Sequence, residues 1–180
     1  PQKINHITKM DIWFLDGFKR IIDMEEELKA CKGAPDADTL KRAKEMCFAD
    51  SYIGTLCGMK QVKVKALREK YGIIPSFKMV DTCAAEFDAE TPYYYSSYDG
   101  ENEAVDTGDG RKKVLVLGSG PIRIGQGIEF DYCSVHSVWA FKRLGYETII
   151  VNNNPETVST DFDTGDRLYF DPLNPESVDN

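Results

Sequence analysis

Residues 118–127 contain four glycines, in a segment that follows an apolar run and precedes a helical pattern. A glycine-rich turn in that setting brings backbone N–H groups to the start of a helix, where they can bind phosphate. The spacing resembles both the dinucleotide-binding fingerprint and the nucleotide-binding P-loop. The candidate residues of this glycine loop are Gly118, Gly120, Arg123, Gly125 and Gly127.

Both phosphate-binding fingerprints fail in detail. Arg123 stands where the dinucleotide fingerprint has its third glycine, and residues 152–154 are asparagines where its acidic ribose ligand belongs. Gln126 replaces the lysine of a P-loop, which excludes that motif. Three interpretations remain open: glycines that only let the turn close tightly, a bound phosphate or nucleotide, or another ligand path.

Two glutamates flank the same region of the predicted fold. Glu129 and Asp131 fall in the first turn of the helix after the loop, where acidic side chains complement the helix dipole. Glu156 lies in the Asn-Asn-Pro-Glu-Thr segment, 153–157, that leaves the next strand. Ligands of open α/β sheets bind at the carboxyl ends of the strands, so we expect Glu129 and Glu156 to approach one another around one crevice.

The elements that position these residues follow from the apolar pattern. Residues 113–117, 148–152 and 168–170 are short apolar runs typical of buried strands, and the helix between the first two runs from about 127 to 144. This strand–helix–strand order predicts a Rossmann-like α/β domain, residues 111–180, with a parallel sheet and a right-handed crossover.

The preceding residues differ in character. Residues 1–98 have helical periodicity and balanced charge, which predicts a compact all-α domain, with Thr8 and Asp38 as N-caps of its first two helices. The segment 80–87 is ambiguous between helix and strand. Residues 99–110 contain five acidic residues and no basic one, which predicts an acidic linker between two domains.

Composition excludes several classes of protein. The 180 residues are 42% hydrophobic with a net charge of −8, so we expect a folded protein and no nucleic-acid partner. The sequence contains neither a transmembrane span nor a signal peptide, and no membrane partner is expected. The five cysteines are odd in number and lack Cys-x-x-Cys spacing, so we predict no disulfide framework, no metal site and a reducing, cytoplasmic location.

Longer stretches of the sequence resemble a known family. Residues 118–133, 145–148 and 152–170 closely resemble the opening of the second synthetase half of the carbamoyl-phosphate synthase large chain, a pre-ATP-grasp domain. Residues 4–98, notably 7–15 and 77–87, resemble the helical oligomerisation domain between the two halves. With no starting Met, the chain is expected to be a piece of a longer protein, inactive alone.

The resemblance implies a function for the full-length protein. That ligase makes carbamoyl phosphate from bicarbonate, two ATP and ammonia from glutamine, for arginine and pyrimidine synthesis. Its second half phosphorylates carbamate, and Glu129 and Glu156 would line the tunnel between the halves. The full-length protein would need ATP and magnesium or manganese, with potassium a further candidate, whereas this segment is expected to bind no cofactor and to contain no catalytic residue.

The implied partners are the remainder of the large chain, a glutaminase small subunit, and further copies of the chain through residues 1–98. Two other hypotheses for the function of the chain remain open. One is a small dinucleotide-binding oxidoreductase module, which the strand–helix–strand unit favours and which NAD(H) binding would support. The other is a non-catalytic assembly scaffold, which a larger species dependent on residues 1–98 would support.

Overall fold

The computed structural model describes the whole chain except residues 89, 106–108, 122–124 and 126–128. Its helices and five-stranded sheet make the chain a mixed α/β protein. It divides into two compact units, Pro1–Ile74 and Pro75–Asn180. The predicted helical domain extends to residue 98, but two strands between 75 and 98 pair within the second unit.

The first unit consists of five helices. Their bounds are α1 Gln2–Thr8, α2 Ile12–Ala30, α3 Ala37–Glu45, α4 Asp50–Cys57 and α5 Gln61–Lys70. Its core is apolar and fully buried, and includes Leu28, Leu40, Ala43, Ile53 and Val64. Within the described part of the chain there is no helix that could span a membrane.

The helix caps of this unit differ by a few residues from the prediction. Asp11, not Thr8, caps α2 by accepting a hydrogen bond from Trp13 N–H at 2.8 Å. Asp36, not Asp38, caps α3 through Thr39 N–H, also at 2.8 Å. The prediction of Thr8 and Asp38 as caps is wrong by three and two residues. Each segment contains several residues that can cap a helix, and which of them does so depends on where the helix begins.

A buried ionic cluster joins three helices of the first unit. Asp50, at the start of α4, contacts Arg68 Nε at 2.9–3.0 Å and Lys44 Nζ at 3.1 Å. All three side chains are at most 3% exposed. Lys44 also donates to Phe48 O, and Arg68 donates to Ile73 O. One carboxylate therefore compensates two desolvated cations, which makes it far more important than a surface partner.

The second unit contains the sheet. Its elements are β1 Ser76–Met79, β2 Tyr93–Ser97, β3 Lys113–Leu117, α6 Glu129–Arg143, β4 Glu147–Val151, a 3₁₀ turn Val158–Thr160, β5 Arg167–Tyr169 and α7 Pro175–Asp179. The strand order is β1-β2-β5-β4-β3. Strands β3, β4, β5 and β2 are parallel, and β1 is antiparallel to β2. The parallel pairing predicted for the last three strands is confirmed.

One face of this sheet is buried by α6. Val138 of α6 packs against Ile150 and Leu168, and all three are fully buried. Tyr93 and Val116 pack at the edge of this cluster. These contacts account for the apolar side chains on one face of the strands. The other face of β3 is open, since Leu115 and Leu117 are 44% and 51% exposed, so the prediction of a buried strand at residues 113–117 is wrong for that face.

Part of the predicted acidic linker lies along β1. Phe77 N–H donates to Asn102 Oδ1 at 2.9 Å, and Met79 N–H donates to Glu103 Oε2 at 2.7 Å. Glu103 N–H in turn donates to Phe77 O. Residues 102–103 thus satisfy backbone groups along the outer edge of β1, while residues 106–108 lie outside the described part. The ambiguous segment 80–87 forms neither helix nor strand.

We predict that Asp50→Asn destabilises the first unit by about 3–5 kcal/mol, because it removes the buried carboxylate that both cations contact. Denaturant unfolding measures the loss. The control is Asp23→Asn, which breaks the exposed Lys19–Asp23 ion pair and should change stability little. Equal effects of the two substitutions would contradict the prediction.

Candidate functional site

Both predicted site segments lie at the carboxyl edge of the parallel strands. Gly118 directly follows β3, and Asn152 directly follows β4. The two strand ends are hydrogen-bonded neighbours, with Leu117 opposite Val151 and Gly118 N–H donating to Val151 O at 2.8 Å. The edge where the sequence predicted a crevice therefore carries the start of the glycine loop and the start of the asparagine segment side by side.

Asn152 holds this edge together. Its side chain is completely buried, and its Oδ1 accepts hydrogen bonds from Gly120 N–H at 3.2 Å and Asn154 N–H at 3.3 Å. Its Nδ2 donates to Thr157 Oγ1 at 3.4 Å. A Cβ at position 118 would lie 2.5 Å from Asn152 Cγ, so only glycine fits at this point.

This packing explains why the first two glycines are present. Gly118 allows the close approach of Asn152, and Gly120 has a φ of 76°, a conformation that favours glycine. Both observations favour the interpretation that these glycines let the turn close tightly. Gly125 also has positive φ, at 88°, but its Cβ position is open. Arg123 and Gly127 lie outside the described residues.

The segment after Asn152 is fastened by its own hydroxyl groups. Thr157 and Thr160 form a capping box around the 3₁₀ turn: each hydroxyl accepts from the other residue's backbone N–H. Thr160 Oγ1 also donates to Thr157 O at 2.8 Å. Both threonines and the intervening Ser159 are buried. The hydroxyl groups of the turn are thus satisfied within the protein, as buried polar groups must be.

Asp131 connects this turn to α6. Its Oδ2 accepts a hydrogen bond from Ser159 N–H at 2.5 Å, and its side chain is 2% exposed. From the sequence, the presence of an acidic residue at Asp131 is explained by the helix dipole alone. The tertiary bond to Ser159 was missed because nothing local in the sequence indicates which of two first-turn acids faces inward.

Glu129 and Glu156, the two predicted tunnel residues, are both exposed. Glu129 is the first residue of α6, two positions before Asp131, and Glu156 lies three positions before Ser159. The Asp131–Ser159 bond therefore links the two segments that carry them. Their approach around one crevice and their lining of a tunnel remain predictions.

A second buried carboxyl group lies at the same end of the sheet. Asp171 follows β5 by two residues, is 5% exposed, and accepts a hydrogen bond from Ser96 Oγ. Burial raises the pKa of this carboxyl, and the hydrogen bonds from Ser96 oppose that rise. The pair joins β2 to β5, so it could not be recognised before β2 was placed in the sheet.

Among the described residues no group of three or more His, Cys, Asp or Glu side chains is arranged to hold a metal. The Gly120 amide donates to Asn152, and residues 122–124 and 126–128 of the glycine loop lie outside the described part. What this edge binds therefore remains a prediction. The described arrangement presents exposed carboxylates in front of a buried, hydrogen-bonded support.

Two family models match the two ends of the chain, and residues 73–109, which include β1 and β2, lie outside both matches. Residues 110–180 match the carbamoyl phosphate synthase preATP-grasp domain. Residues 1–72 match the carbamoyl-phosphate synthetase large chain oligomerisation domain. The sheet and its glycine loop thus define a pre-ATP-grasp domain, and the matched helices precede it in the chain.

Similar large chains cover nearly all of this sequence. Carbamoyl phosphate synthase large chains from Agathobacter rectalis, Lachnoclostridium phytofermentans and Caldanaerobacter subterraneus are 56%, 58% and 58% identical over 98–100% of it. The chain belongs to the carbamoyl phosphate synthase large-chain family. It spans only 16–17% of the length of these relatives.

We predict that Asp171→Asn becomes more stabilising, relative to the unchanged chain, as pH rises. A raised pKa gives Asp171 a stability contribution that is complete below its ordinary pKa of 3.8 and is lost as pH rises through the folded-state pKa. Asparagine lacks that loss and keeps an acceptor for Ser96. Unfolding free energies measured across this pH range test the prediction.

Asp163→Asn is the control, since residue 163 is exposed and its substitution should give a smaller pH trend. An Asp171→Asn effect that does not change with pH would contradict the prediction.

Proposed function

We propose that the full-length protein makes carbamoyl phosphate from bicarbonate, ammonia released from glutamine, and two ATP. The observation that carries this proposal is the order of the two matched domains along one chain, at 56–58% identity to large chains across nearly all of it. In this proposal the second unit begins the half that phosphorylates carbamate, and the first unit is an oligomerisation domain.

The role we assign to the carboxyl edge is to border the path of carbamate between the two halves. Exposed carboxylates at Glu129 and Glu156 can hold water and polar intermediates by hydrogen bonds without reacting with them. The buried network behind them, centred on Asn152, occupies the backbone donors of the turn. A path lined in this way guides a polar intermediate, and no catalytic residue is assigned to the segment.

ATP and magnesium or manganese, with potassium a further candidate, would be held by parts of the full-length protein other than the described residues here. This assignment rests on the similarity to large chains, of whose length the chain spans only 16–17%. The family matches also disfavour the dinucleotide-binding oxidoreductase. The partners proposed for this segment are the remainder of the large chain and a glutaminase subunit, in the cytoplasm.

A second role, self-association, is favoured by the surface of the first unit. An apolar stripe follows α2 and consists of Trp13, Phe14, Phe18, Ile21 and Ile22, each 43–70% exposed. Several of these residues line a groove of about 420 Å³ together with Gly17 and Met46. Contiguous exposed apolar surface of this kind marks protein interfaces. We assign this α2 stripe to contact with another copy of the chain.

We predict that Glu129→Ala and Glu156→Ala in the full-length protein raise the ATP consumed per carbamoyl phosphate formed severalfold. Loss of a carboxylate along the path lets carbamate escape or decompose before the second phosphorylation, while ATP use continues. Parallel assays of ADP and of carbamoyl phosphate measure the ratio. Asp163→Asn, an exposed carboxylate beyond the 3₁₀ turn, is the control and should keep the normal ratio. Unchanged ratios in both glutamate variants would refute the tunnel assignment.

We predict that Phe18→Glu abolishes concentration-dependent self-association of the chain, because it places a charge in the α2 stripe. Sedimentation velocity over a range of concentrations measures the association. The matched control is Val62→Glu on α5, where the replaced side chain is 77% exposed but lies outside the stripe. A chain that stays monomeric before substitution, or that associates equally after Phe18→Glu, would contradict the assignment.

A further inference from the structure

Asp131 is more deeply buried than a helix-dipole role requires. An acidic side chain in the first turn stabilises a helix while fully exposed, so the dipole gives no reason to desolvate it. Asp131 is nevertheless 2% exposed, and its Oδ1 has no hydrogen-bond partner among the described residues. The cost of that burial is offset by the short bond from Ser159 N–H to Oδ2, a charge-assisted hydrogen bond.

The turn that Asp131 contacts is anchored to the sheet. Ser159 is completely buried inside the capping box of Thr157 and Thr160. Thr157 Oγ1 accepts from Asn152 Nδ2 at the end of β4. The Asp131–Ser159 bond therefore connects the first turn of α6 to a turn that is itself hydrogen-bonded to the end of β4.

We propose that Asp131 is a positioning residue that sets the spacing between Glu129 and Glu156. Glu129 lies two residues before Asp131 on the first turn of α6, and Glu156 lies three residues before Ser159. The bond fixes the two segments to each other while leaving both glutamate side chains exposed. The functional importance of that spacing rests on the proposed function of the two glutamates. The hydrogen bond that connects their two segments is a property of this chain and does not depend on that function.

The test compares Asp131→Ala and Asp131→Asn in the isotopically labelled chain. Amide hydrogen exchange reports the bond at Ser159, and residual dipolar couplings report the orientation of residues 156–160 relative to α6. In the alanine variant we expect Ser159 to exchange about tenfold faster or more, since a charge-assisted bond is lost. The couplings of residues 156–160 should change while those of β3 and β4 do not.

The asparagine variant is the rescue. Its amide oxygen can still accept from Ser159, so the couplings should return toward those of the unchanged chain, although the Ser159 amide resonance moves upfield because the acceptor is neutral. Asp163→Asn is the control and should alter neither readout. Unchanged couplings in a folded alanine variant would overturn the proposal. If the alanine variant does not fold, an unmoved Ser159 resonance in the asparagine variant would overturn it.

The full-length protein separates this proposal from the tunnel assignment. If both hold, Asp131→Ala raises the ATP consumed per carbamoyl phosphate, and Asp131→Asn raises it less. If the couplings change in the chain but the ratio stays normal for Asp131→Ala, Glu129→Ala and Glu156→Ala, the positioning role stands and the tunnel assignment fails. If the ratio rises only in the glutamate variants, Asp131 does not set their spacing and the proposal is overturned.

Discussion

The carboxyl edge of the sheet depends on one buried amide side chain. Asn152 leaves β4 with its backbone N–H bonded to Tyr169 O of the neighbouring strand. Its side chain then bonds Gly120 of the glycine loop and Asn154 and Thr157 of the segment that follows it. Because the side chain is completely buried, each of those bonds replaces water that has been excluded. An aspartate here would bury a charge and could not donate to Thr157 Oγ1, and a shorter side chain would leave the Gly120 amide unsatisfied.

Much of the site follows from that constraint. The glycine loop must begin with a residue that has no Cβ, because Asn152 occupies the space. The 3₁₀ turn follows within a few residues, and Thr157 at its start accepts a hydrogen bond from Asn152 Nδ2. The hydroxyl groups of the capping box therefore lie in the interior. The polar groups of the edge are used to support backbone, and the carboxylates of Glu129 and Glu156 remain toward solvent. An arrangement of exposed carboxylates over a buried support suits a surface along which a polar molecule passes better than a pocket that binds one.

The first unit combines buried polar groups with exposed apolar ones. Its interior contains the ionic cluster of Lys44, Asp50 and Arg68, while aromatic side chains of α2 lie on the surface. Burying an ion pair adds little net stability, but removing one partner is costly, so such a cluster holds the helices in one arrangement. An exposed apolar stripe on a small helical unit is a liability unless it is covered, which is why we assign it to self-association.

The sequence by itself determined the parallel strands, the helix α6, the edge at which the site lies and the family, because apolar runs, glycines and long motifs are local signals. It also placed Glu129 in the first turn of α6 and Glu156 in the segment after β4, while their shared site and role remain predictions. Tertiary structure decided the rest. The chain divides after Ile74 because β2 pairs with β5, about 75 residues later, and β1 pairs with β2; no local pattern records the pairing of β2 with β5. Asn152, Asp131 and Asp171 acquired their roles from partners 28–75 residues away. Burial and hydrogen bonding at such separations depend on how whole elements pack, and a linear pattern does not contain that information.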